Sequence, residues 1–249
     1  MTPGYARLVG RRFALVVLSL LAASLLSIGT LAVRVHDTHS HRYTFLLWNL
    51  FLAWLPLVAA AAAFALARRG SRTLAGVLVV VWLLFFPNAP YVLTDFVHLG
   101  GRSPSPLWYD ALMLSSFAWT ALMLGFVSLY LVHAIVGRRA GAAIGWVVVV
   151  CALALASFGV YIGRFARFNS WDIVTRPRFV LSEIGEETNS PLHDPKMVAA
   201  LLALTASLFV GYLVVYAFSA LRLDLLRADG GVHQHEHRLD VERVAARDA

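Results

Sequence analysis

Long apolar stretches of similar length, separated by short polar or arginine-bearing breaks, set the architecture this chain predicts. Phe13 to Val33, Thr44 to Ala67, Leu107 to Val136, Ala142 to Gly163 and Met197 to Leu221 each reach the roughly 20 residues that cross about 30 Å of hydrocarbon. A sixth run, Leu74 to Phe86, covers only about 20 Å at the helical rise of about 1.5 Å per residue and must continue to Leu99 to span. That continuation contains Pro87 and Pro90, each of which lacks an N–H and crowds the preceding turn. The pattern predicts an all-α integral membrane bundle of six transmembrane helices, with the third helix broken at Pro87/Pro90. Asn88 restarts the helix as an N-cap, and Gly100 and Gly101 end it. A re-entrant third segment, leaving five crossings, is the alternative.

Arginine placement arbitrates between these topologies. With six crossings and both ends on one side, that side receives Arg7, Arg11, Arg12, Arg68, Arg69, Arg72, Arg138, Arg139 and the arginines of the tail. The first outer connections hold only Arg34, Arg42 and Arg102, so the positive-inside rule favours six crossings with N- and C-termini cytoplasmic. The outer segment Arg164 to Lys196 is the exception, with Arg164, Arg167, Arg176, Arg178 and Lys196.

Composition agrees: 59% of the residues are hydrophobic and 14% charged, too apolar for an ordinary soluble core. The net charge of +7 sits mostly at span boundaries, which points to topology and not to nucleic acid. The first apolar stretch follows arginines but is long for a signal peptide and lacks an Ala-x-Ala site, so it reads as an uncleaved span. Cys151 is alone, which excludes an intramolecular disulfide. Residues 1–221 form a single transmembrane helical domain, and 222–249 a cytoplasmic, disordered tail. The alanine run Ala59 to Ala63 and the pairs Gly141/Gly145 and Gly159/Gly163 suit close helix packing.

Polar residues converge on the outer side. If the segment after Pro87 is α-helical, Tyr91, Thr94, Asp95 and His98 share a face by their i, i+3, i+4, i+7 spacing. The candidate polar site is Asn88, Tyr91, Thr94, Asp95, His98, Asp110, Arg164, Arg167, Asn169 and Asp172, with His36, Asp37, His39 and His41 on the first outer loop. Trp108, Tyr109 and Trp171 suit an interfacial aromatic belt. Asp110, after the N-cap and first-turn pair Ser105-Pro106, suits a helix dipole. Asp95 pairing with Arg164 or Arg167 is the structural reading of the cluster. In the functional one, the two guanidinium forks suit a phosphate or carboxylate.

The motifs Pro87-Asn88-Ala89-Pro90-Tyr91, Thr94-Asp95, His98, Trp108-Tyr109-Asp110, Gly163-Arg164-Phe165 and Asn169-Ser170-Trp171-Asp172 together resemble the family called domain of unknown function 1361. The resemblance implies a bacterial integral membrane protein and no particular activity, and the expected location is multi-pass in the bacterial cytoplasmic (inner) membrane.

No HExxH, CxxC, P-loop or Gly-x-Ser-x-Gly pattern is present, so no metal, cofactor or named reaction is expected. The tail motif His233-Gln234-His235-Glu236-His237 reads as adventitious. Span centres carry Ser24, Ser27, Asn49, Ser115, Ser116, Thr120, Ser157 and Thr205 in place of the ionisable groups that ion coupling needs. The expected function is an outward-facing polar pocket that binds an anionic lipid headgroup or small anion, or docks a membrane partner. The alternative is a membrane-embedded enzyme using Asp95 and His98 on an outer-leaflet lipid or cell-envelope precursor.

Overall fold

The computed structural model describes the backbone of residues 3–100, 104–165 and 195–245, and the side chains of 10–100, 104–161, 163 and 195–221. Its helices are α1 (Pro3–Thr38), α2 (Phe45–Arg68), α3 (Arg72–Phe85), α4 (Asn88–Tyr91), a 3-10 helix (Val92–His98), α5 (Leu107–Ala140), α6 (Ala142–Phe165) and α7 (Pro195–Ala245). No strand occurs among the described residues. Six segments are long and apolar enough to cross a membrane: Gly10–Thr38, Phe45–Arg68, Arg72–His98, Leu107–Ala140, Ala142–Tyr161 and Pro195–Leu221. The chain has the architecture of a multi-pass membrane protein. Residues 1–206 form one compact unit and 207–249 another. Of the charged tail expected to be disordered, the backbone of residues 222–245 continues α7 as helix, and 246–249 lie outside the described residues.

Within the first unit α5 is central, packing on α1, α2, α4 and α6, while α2 also packs on α3. Its inner positions, Met113, Leu114, Phe117, Ala121, Leu124 and Val132 among them, are closed to solvent. Leucines and valines on the outer faces, such as Leu25, Val58, Val80 and Val147, are open, as lipid-facing positions are in a multi-pass protein. Small residues do the close packing the sequence expects: Ala60 and Ala63 of α2 are fully buried. A Cβ at Gly159 of α6 would lie 2.9 Å from Pro87, and one at Gly145 would lie 2.8 Å from the His133 ring. Two glycines with positive φ, Gly70 (+86°) and Gly141 (+95°), make the tight turns α2–α3 and α5–α6.

The proline segment keeps right-handed helical dihedrals while its hydrogen bonding changes. Pro87 has φ −58° and ψ −23°, and the run continues as one turn of α-helix and then as 3-10 helix to His98. Asn88 does not cap this turn: its side-chain amide donates to the Phe85 carbonyl at 2.9 Å, closing the end of α3. Gly100, at φ +103°, turns the chain away after the 3-10 helix.

Candidate functional site

Polar side chains meet at the end of the first unit formed by the close of α1, the α1–α2 loop, the 3-10 helix and the start of α5. The 3-10 geometry changes the face on which Asp95 lies. With three residues per turn, Val92, Asp95 and His98 form one row, and Tyr91, Thr94 and Val97 the next. Val92 and Asp95 are both 1% exposed, whereas Val97 is 64% exposed. The α-helical stripe expected from the sequence is therefore divided, and Asp95 points inward.

There its carboxylate accepts from the Asn49 amide of α2, with Nδ2 2.8 Å from Oδ2. Thr94 donates its hydroxyl to the Tyr91 carbonyl at 2.7 Å. The His98 ring stands edge-on to Phe45, centroids 5.1 Å apart. Its carbonyl accepts from the Tyr43 hydroxyl at 2.8 Å and from Arg42 Nη2 at 3.1 Å. Arg42 also donates to the Gly100 carbonyl, tying the first loop to the end of the 3-10 helix.

Asp110 forms the second buried centre. Arg34, one turn before the close of α1, donates from Nε to Asp110 Oδ1 at 2.7 Å and from Nη2 to Oδ2 at 3.4 Å. Arg34 is 1% and Asp110 2% exposed. The guanidinium also lies 4.5 Å from the centroid of the Tyr43 ring, a cation–π contact. Burial raises the Tyr43 phenol above its usual 10.0 and the Asp110 carboxylate adds to the rise, while Arg42 and Arg34 act in the opposite sense. Beside this pair, the Tyr109 hydroxyl donates to the Thr30 carbonyl of α1 at 2.9 Å. Helix α5 begins at Leu107 with Pro106 as its N-cap, so Ser105 is not the cap the sequence suggests.

Arg34 is the residue that sequence reasoning misplaced, as an arginine of the outer connections. Its signal was its register: Leu20, Ser24, Ser27, Leu31 and Arg34, all buried, recur at spacings of three and four along α1. The same row bonds inward elsewhere. The Trp54 indole donates to Ser24 at 3.1 Å, and Ser27 meets Thr120 at 3.3 Å.

His36, Asp37, His39 and His41 are exposed. No group of three metal-ligating side chains occurs among the described residues. Arg164, Arg167, Asn169 and Asp172 lie outside the residues whose side chains are described, as do the tail histidines. The pairing of Asp95 with Arg164 or Arg167 therefore lies outside them too. The backbone of α6 nonetheless runs toward this end, since Gly159 abuts Pro87.

The model of the family described as "Protein of unknown function (DUF1361)" matches residues 48–211. No curated protein and no solved structure matches the chain.

Proposed function

We propose, for a chain that belongs to the DUF1361 family of proteins of unknown function, that the polar end of this multi-pass membrane protein binds an anionic lipid headgroup or small anion. The observation that carries this reading is the state of the two buried acids. Asp110 is held by Arg34, and Asp95 accepts from Asn49. Asp110, neutralised by Arg34, repels an incoming anion less than an unpaired carboxylate would. Arg164 and Arg167, three residues apart in the sequence, supply the attracting charge, and two guanidinium forks match the oxygens of a phosphate. Asn88, Tyr91, Thr94 and His98 form the polar wall, and Asn169 and Asp172 are the further polar residues assigned to the site from the sequence. The arginine distribution supports a cytoplasmic membrane location with both termini inside.

The test uses water-soluble probes, inorganic phosphate and glycerol phosphate, titrated calorimetrically into the purified full-length protein. Wild type binds, and Arg164→Ala or Arg167→Ala weakens binding roughly 10- to 100-fold, the range for losing one charged hydrogen bond. No binding by wild type, or binding by both variants unchanged from wild type, overturns the proposal.

A further inference from the structure

The opposite end of the first unit carries a second charged surface. Arg68 and Arg69 close α2, Arg72 opens α3, and Arg138 and Arg139 lie in the last turn of α5. All are exposed. Packing of α2 against α5 brings the two groups to one place: the Arg138 guanidinium lies 5.8 Å from the ring centroid of Phe64, one turn before Arg68. The turns at Gly70 and Gly141 are tight, so these arginines are mounted on helix ends and not on long loops.

Among the residues with described side chains the acids are Asp37, Asp95 and Asp110, and all three belong to the other end. Attraction to the helix dipole accounts for Arg68, Arg138 and Arg139 at C-terminal ends, but it disfavours Arg72 in the first turn of α3. Clustered guanidiniums at a bilayer boundary recruit anions, and the anions fixed at that depth are lipid phosphates.

We infer that the surface formed by the α2–α3 and α5–α6 turns is a binding site for anionic phospholipid headgroups. It is independent of the polar end and stands whether or not that end binds an anion. Phe64 and the helix ends supply the apolar flank for the acyl chains, and the arginines supply the phosphate contacts.

The full-length protein, reconstituted in nanodiscs holding equal amounts of phosphatidylglycerol and phosphatidylcholine, is released into a native mass spectrometer and the ratio of retained lipids recorded. Wild type retains phosphatidylglycerol preferentially. The double variants Arg69→Gln/Arg72→Gln and Arg138→Gln/Arg139→Gln each lose that preference, by about five-fold for every arginine removed. Because glutamines at a span boundary can disturb insertion, the lysine versions of the same double variants preserve the boundary charge, and they keep the preference. In an Arg164→Ala/Arg167→Ala background, which removes the anion contacts proposed for the polar end, excess inorganic phosphate leaves the ratio unchanged. A glutamine variant with wild-type preference, a lysine variant that has lost it, or displacement of the lipid by phosphate in that background overturns the assignment.

Discussion

Arg34 of α1 and Asp110 of α5 meet at 2.7 Å, both almost wholly closed to solvent, and this contact joins the first helix to the central one at the polar end. Burying two charges is costly, and the attraction between them repays the cost only with good geometry and further bonds. Here the fork spans both carboxylate oxygens, Nη1 reaches the Ser40 carbonyl at 3.4 Å, and the Tyr43 ring covers the cation.

Removing one partner leaves the other as an uncompensated buried charge. Arg34→Met and Asp110→Leu are each expected to destabilise the protein by about 3–5 kcal/mol, whereas the double variant loses clearly less than the sum. Denaturant unfolding in detergent, run as a double-mutant cycle, measures this. Additive losses would show that the pair is not the contact that matters.

Glycine substitutions should separate by place. At Gly125 a Cβ would lie 2.8 Å from the Ala89 Cβ, and at Gly159 2.9 Å from the rigid Pro87 ring. Gly125→Ala and Gly159→Ala are expected to cost about 1–3 kcal/mol through overpacking. Nothing lies within 4 Å at Gly29 or Gly76, so alanine there is neutral or stabilises by up to about 1 kcal/mol. Thermal melting of the four variants gives the order, and its reversal would contradict the packing described for α4 against α5 and α6.

Tyr43 gives a pH dependence at the alkaline side. Its phenol titrates higher folded than unfolded, so between 10.0 and the raised value the native state holds the extra proton. The stability this contributes is complete below 10.0 and is lost as the pH rises through the folded value. Wild type should therefore lose melting temperature above about pH 10 more steeply than Tyr43→Phe. Parallel profiles for the two would assign the alkaline loss to other groups.

The six spans were legible because bilayer thickness imposes a length on apolar runs that needs no tertiary information. The location of the polar end was legible too, since alternating crossings put Asp95, His98 and Asp110 on one side. The partners were not. Asn49 reads as one polar residue in an apolar helix, and only the packing of α2 on the 3-10 helix brings it to Asp95. The face of Asp95 was misjudged because the segment after Pro90 winds with three residues per turn, a choice that residue spacing alone does not reveal. Arg34 looked like a loop charge because it stands near the end of an apolar run, although its register with Ser24 and Ser27 marks it as inward.

Synthesis order gives the Arg34–Asp110 contact a temporal meaning. The two residues are 76 positions apart, so the ribosome completes the arginine roughly 4–15 s before the aspartate, at about 5–20 residues per second. During that interval the guanidinium has no Asp110 to meet, and its position one turn from the close of α1 lets it reach the aqueous boundary. The contact that ties the first helix to the central one therefore forms only after the start of the fourth span has been made.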